Sequence, residues 1–169
     1  MRSIALRSAM AFAIVAALGA ANARAQSNPG IDEIVKSLTP TPSAPGTRGI
    51  RVGNPEVSLN ILFATGSADL TPQAVQTLDD LGRALTNPAL AAYRFRVEGH
   101  TDTVGSRDYN KALSNRRAIA VVEYLVGKFQ VDRNRLQPVG MGEDGLVVQT
   151  PDQTPEPRNR RVLVINIGS

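Results

Sequence analysis

The stretch from Gly99 to Ser106, "GHTDTVGS", sets the chain's only histidine two residues before an aspartate and six before a serine. Those residue types could serve as base, orienter and nucleophile of a hydrolase. Their placement argues otherwise. His100 and Asp102 follow directly on a strand-like run, no G-x-S-x-G elbow is present, and Ser106 stands where a helix cap belongs. A zinc site fares worse, because one histidine and no cysteine do not supply three or four ligands. His100 is therefore expected to hydrogen-bond the turn and shape it. No catalytic residue, metal or cofactor is assigned.

Beyond Ser106 the chain reads as a helix running to about Val126 and stopped by Gly127. On a wheel of about 100° per residue, Ser114, Ala118, Val121 and Leu125 form one buried arc. Arg117 falls beside Val121, on the same side as Asn110 and Leu113, whereas Arg116 points to solvent. A guanidinium among core positions stays charged, and leaving it unpaired costs on the order of several kcal/mol. It must face an acid, a set of carbonyls or the anionic group of a ligand. Asp102, in the turn feeding this helix, is the obvious partner. Two readings stay open. One is a plain Asp102–Arg117 ion pair that fixes the turn. The other is a split site in which Asp102 holds an ammonium and Arg117 a carboxylate, gripping a zwitterion.

The elements that would position this pair are legible in outline. "VSLNILF" alternates Val57, Leu59, Ile61 and Phe63 with period two and reads as a strand. A helix follows, with Thr71 as N-cap, Pro72 at its first position, Val75, Leu78, Leu81 and Leu85 as its buried face, and Asn87-Pro88 as its stop. "AYRFRVEG" is a second strand with one wet face. After the long helix, Asp132 caps one turn in "DRNRL" and "LQPVGMG" is a third, weaker strand. A polar, proline-bearing loop leads to "RRVLVINI", a strand covered on both faces. The order β-α-β-α-β-β predicts an α+β fold (an α/β sandwich) with a mixed four-stranded sheet and helices packed on it. An outer-membrane barrel needs about eight strands or more.

The formal charge of +4 on 169 residues does not make this a nucleic-acid binder. Arg2, Arg7 and Arg24 lie in a first stretch of 25 residues that has no acid, and the rest carries 16 basic residues against 15 acidic ones, with no basic run. Residues 1–25 read as a cleavable signal peptide. Arg2 and Arg7 precede an uncharged run from Ala9 to Ala21, shorter than the roughly 20 residues of a membrane span, and Ala23-Arg24-Ala25 matches the cleavage rule. The product, starting at Gln26, is expected to be soluble and without a transmembrane span, and its cysteine-free core must hold without disulfides. Residues 26–55 read as a Pro-rich linker before a domain at 56–169. Within that linker Ile31, Ile34, Val35 and Leu38 follow helical spacing. The segment 31–38 is either a short helix docking on the domain or on an envelope protein partner, or a transient helix in a tether.

"GHTDTVGSRDYNKALSNRRAIAVVEYL" resembles the signature of the OmpA-like C-terminal, peptidoglycan-associating domain family. That pattern is G-H-T-D followed by N-x-x-L-S-x-x-R-A-x-x-V-x-x-x-L, and Asn110, Leu113, Ser114, Arg117, Ala118, Val121 and Leu125 fill it. The resemblance spans about Val57 to Ile167. It implies a periplasmic, non-enzymatic protein that binds peptidoglycan through the meso-diaminopimelate of the stem peptide. By motif position Asp102 and Arg117 engage the amino and carboxylate groups at one end of that residue. Thr101, Asn110 and Leu113 line the pocket, and Gly66 and Ser67 contribute contacts. Arg160 and Arg161 match a feature read as structural. The chain departs from the pattern at Ala64, where many members place an acid, and it carries neither a barrel nor a lipid-modified cysteine.

Overall fold

The structure, a computed structural model, describes residues 28–40, 53–64 and 66–169. The expected signal peptide at 1–25 and the proline-rich stretch at 41–52 lie outside the described residues. Three helices and four strands follow in the order α1 (Ile31–Leu38), β1 (Glu56–Leu59), α2 (Pro72–Leu85), β2 (Phe95–His100), α3 (Arg107–Phe129), β3 (Leu136–Gly142) and β4 (Val162–Asn166). Local chemistry sets the helix starts. The Thr71 hydroxyl accepts from the Ala74 N–H with Pro72 opening α2, and the Ser106 hydroxyl accepts from the Tyr109 N–H at α3. Asp132 caps a 3-10 turn at Arg133–Arg135 in the same manner.

The strands form one sheet in the order β1-β4-β2-β3, with β4 antiparallel to both neighbours and β2 parallel to β3 across α3. Pro138 lies in the edge strand β3, where its missing N–H breaks no ladder. Val57, Leu59, Phe95, Val97, Leu136, Val162 and Val164 point into a single core shared with all three helices. The alternation expected to carry a strand through Phe63 ends at Leu59. Its partner Val162 is the first residue of β4, so the ladder has nothing further to pair with. Helix α3, in turn, runs past the expected stop at Gly127. It ends when Gln130 adopts a left-handed conformation (φ 56°), and Phe129 reaches α2 beside Gly82.

The stretch read as a linker is partly built into the fold. Helix α1 buries Ile34 and Leu38 completely against α2 and β1, and Asn166 donates to the Leu38 carbonyl at 2.9 Å. Asn28 clasps the backbone of Asn60 at 2.7 and 3.1 Å and the Thr77 hydroxyl at 2.8 Å. The apolar stripe of 31–38 is thus consumed inside the domain. A partner docking through it would first have to expose the core.

Antiparallel pairing brings one end of β2, one end of β4 and one end of β1 together, with Gly99 opposite Val162 and Leu59 opposite Val162. Helix α3 is pressed onto this end by two side-by-side glycines. A Cβ on Gly99 would lie 2.3 Å from the Ser114 carbonyl oxygen, and one on Gly140 would lie 2.4 Å from the Asn115 nitrogen. Only hydrogen at both positions permits the approach. Ser114 locks it, accepting from the Gly142 N–H at 2.8 Å.

Candidate functional site

A cavity of about 400 Å³ opens at this end of the sheet. Thr101 and Asp102, just past β2, form one wall. Asn110, Leu113 and Arg117 project from α3, Phe63 and Gly66 come from the segment after β1, and Arg160 and Arg161 come from the approach to β4. Of the residues singled out in the sequence, Asp102, Arg117, Asn110, Thr101, Leu113 and Gly66 converge here. Ser67 does not line the cavity and reaches it only through Arg117. Its carbonyl accepts from Arg117, while its hydroxyl turns away to Asp69 at 2.7 Å.

Arg117 is only 7% exposed and satisfies itself on carbonyls. Its Nε donates to Ser67 O at 3.0 Å and its Nη2 to Ala64 O at 3.4 Å, with the guanidinium 4.9 Å from the centre of the Phe63 ring. Among the described residues no carboxylate forms an ion pair with it. Burial lowers its pKa from the ordinary arginine value, and the positive charge of Arg160 lowers it further, outweighing the opposing pull of Asp102. Ala64 contributes its backbone oxygen.

Asp102 does not pair with Arg117. Its Oδ2 accepts from Arg160 Nη1 at 3.2 Å and from the Glu156 N–H at 3.3 Å, and its Oδ1 accepts from the Val104 N–H at 3.4 Å. Arg160, whose role the resemblance gives as structural, lines the cavity wall and pairs with Asp102 there. Nothing local in the sequence ties it to Asp102, 58 residues away. The loop that closes the gap clasps the turn. The Thr103 hydroxyl donates to Pro151 O at 2.7 Å, and the Gln153 amide bridges both the N–H and the carbonyl of Gly105. Asn110 is buried with Nδ2 shared between the Asp102 carbonyl and Glu143 Oε2, both at 3.3 Å. Tyr109, Val104 and Leu62 leave large apolar surface at the mouth.

His100 serves the turn as expected. Its Nδ1 donates to the Asp144 carbonyl at 3.1 Å, which puts the proton on that nitrogen. Burial and then the charge of Arg161 lower its pKa, so the ring is neutral near pH 7. Ser106 is spent on its cap. No hydrogen bond joins His100 to Ser106, so the three residue types of a hydrolase are present but not assembled.

The family model described as the OmpA family matches residues 62–160. The chain belongs to the OmpA family. It is 30% identical to the peptidoglycan-associated lipoprotein of Rhizobium meliloti (strain 1021), across 100% of this chain and 93% of that protein. It is 40% identical over 84 residues to outer membrane protein A of Klebsiella aerogenes, taking in 50% of this chain but only 24% of that protein. The crystal structure of the peptidoglycan-associated lipoprotein from Burkholderia pseudomallei superposes with a TM-score of 0.54 at 25% identity, covering 64% of this chain and 88% of that one. The chain thus shares one domain with the longer relatives. The OmpA-family match takes in most of the cavity wall, from Leu62 to Arg160, and no helix among the described residues is long and apolar enough to cross a membrane.

Proposed function

We propose that this OmpA-family domain binds peptidoglycan without cleaving it, in the periplasm, by gripping the free zwitterionic end of meso-diaminopimelate in the stem peptide. Arg117 takes the carboxylate through its planar fork, and Asp102 takes the ammonium. Asn110, Leu113, Thr101 and Gly66 shape the pocket, and Ser67 steadies Arg117 through its carbonyl. One observation carries the reading: the two opposite charges line one cavity without neutralising each other. The Rhizobium meliloti relative, nearly all of whose length this chain matches, is a peptidoglycan-associated lipoprotein, which supports the reading. The signal-like residues 1–25 supply the route to the periplasm.

Asp102 is shared with Arg160, whose side chain is 48% exposed. The Asp102 side chain is only 8% exposed, so its carboxylate must stay paired, and an incoming ammonium joins Arg160 there or takes its place as the guanidinium moves to solvent. A ligand lacking either charge leaves a desolvated partner unmatched, which sets specificity. Many stem peptides in one wall raise retention through avidity.

Co-sedimentation with purified walls tests this. Wild type is expected to pellet with diaminopimelate-type wall and far less with lysine-type wall, whose side chain has an ammonium but no second carboxylate. Asp102→Ala and Arg117→Ala, each verified as folded by circular dichroism, are expected to stay in the supernatant. Undiminished pelleting of both folded variants overturns the reading, as does release of soluble wall fragments by wild type.

A further inference from the structure

Strand β1 ends at Leu59, yet the residues just beyond it carry one wall of the cavity. Asn60, Ile61, Leu62, Phe63 and Gly66 all line it, and none of them belongs to a strand of the sheet. A wall of irregular backbone keeps its place only where side chains or turns pin it, and any ordering left to be done on binding is subtracted from the affinity. Leu62 is pinned by the Thr71 hydroxyl, which donates to its carbonyl at 2.9 Å, and Phe63 by a single bridge to Leu70. Asn60 is pinned by Asn28. The Asn28 Oδ1 accepts from the Asn60 N–H at 2.7 Å, and its Nδ2 donates to the Asn60 carbonyl at 3.1 Å and to the Thr77 hydroxyl at 2.8 Å. One side-chain amide thus makes the paired bonds that a neighbouring strand would make, with α2 as its anchor.

The same wall seats Arg117, whose guanidinium donates to the Ser67 and Ala64 carbonyls and lies against the Phe63 ring. Phe63 and Ala64 follow Asn60 by three and four residues, so a shift at Asn60 is felt at that seat. Asn28 is in turn held from the other side. It stands two residues before Gly30, whose carbonyl accepts from the Ile34 N–H at 3.0 Å in the first turn of α1, and Ile34 and Leu38 are fully buried. The core fixes α1, α1 fixes Asn28, and Asn28 fixes the start of the wall. Both Asn28 and Asn60 lie outside residues 62–160, the stretch that matches the family.

We propose that Asn28 is a positioning residue for the cavity: it touches no ligand, and it holds the wall after β1 so that Arg117 is presented ready-made opposite Asp102. The stretch that reads in sequence as a linker is thereby a working part of the site. The choice of ligand below rests on the diaminopimelate reading; the hold of Asn28 on the seat of Arg117 does not.

Two measurements on the full chain test this: calorimetric titration with free meso-diaminopimelate, and solvent exchange of the Arg117 Nε–H followed by NMR without ligand. Asn28→Ala is expected to bind about fivefold more weakly, the worth of one ordinary hydrogen bond, and to exchange the Arg117 Nε–H faster. Asn28→Asp keeps the size and the acceptor, loses both donors and sets a carboxylate oxygen against the Asn60 carbonyl. It is expected to lose at least as much, and it decides the matter if Asn28→Ala does not fold. Arg135→Ala, which weakens the fold far from Asn60, is expected to leave both affinity and exchange as in wild type, and so separates positioning from general loss of stability. Asn28 variants with wild-type affinity and wild-type exchange overturn the proposal. So does an equal change of both quantities in Arg135→Ala. Absence of binding by wild type overturns the diaminopimelate reading instead, and the exchange comparison then decides the role of Asn28.

Discussion

The glycine of the G-H-T-D motif is expected to act by its absence of a side chain, and Gly99→Ala puts that to a test. A Cβ there would sit 2.3 Å from the Ser114 carbonyl, whereas ordinary contact begins at 3.4 Å, a shortfall of about 1 Å. Strand β2 cannot retreat, because β4 and β3 hold it on both sides. Either α3 moves outward or the core carries the strain. Overpacking of this kind costs about 1–3 kcal/mol, partly offset by the ~0.4–1 kcal/mol that alanine gains by stiffening the unfolded chain. We expect a net loss of about 1–2 kcal/mol in urea unfolding, which is a drop of several degrees in Tm. Because α3 carries Arg117 and β2 leads to Asp102, wall pelleting should fall as well. Gly127→Ala is the control. It is exposed on the same helix with nothing near its missing Cβ, and should stabilise by about 0.5–1 kcal/mol. A Gly99→Ala protein as stable as wild type, with full pelleting, would refute the close-approach argument; so would an equal loss at Gly127.

Three further outcomes follow from the packing. Arg135 donates to the carbonyls of Tyr93, Leu85 and Leu90 at 2.8–3.1 Å, stitching the end of α2 to the start of β2. Arg135→Ala should cost about 2–4 kcal/mol in urea unfolding, and Arg135→Lys should restore little because a point charge cannot serve three carbonyls. Ile34 is fully buried under α1. Ile34→Ala should therefore cost about 2–4 kcal/mol, and a loss below about 0.5 kcal/mol would show that α1 is not part of the folding unit. The Asp79 carboxyl is held below its ordinary range by hydrogen bonds from Lys128 and Tyr124. A depressed acid contributes stability above its unfolded pKa and loses it as pH falls through the folded one. Stability should thus decline between about pH 5 and 2, less steeply in Asp79→Asn.

Much of this was readable from local pattern. Thr71 with Pro72, Ser106 and Asp132 each fix their own turn through bonds to backbone a few residues away, so their sequence context suffices. The β-α-β-α-β-β order and the inward side of β1 and β2 followed from periodicity, and the wheel located Arg117 on the core side of α3. Where the outcome depended on distant partners, the sequence reading drifted. Strand β1 stops where β4 runs out, and α3 continues because Phe129 finds α2; neither limit is written in the segment itself. The open choice at Arg117 had the same origin. Carbonyls from Ala64 and Ser67 receive it, and Asp102 goes to Arg160 across a long loop whose path no periodicity reveals. Helix α1 shows the converse. Its stripe was visible, but what it covers is set by β1 and α2, far along the chain.

The most direct test is a crystal structure of the protein with meso-diaminopimelate. The account predicts one terminus of the ligand in the cavity, its carboxylate on the Arg117 guanidinium and its ammonium within hydrogen-bond reach of Asp102. A cavity left empty at saturating ligand, with Asp102 and Arg117 closed onto each other or the ligand bound elsewhere, would contradict it.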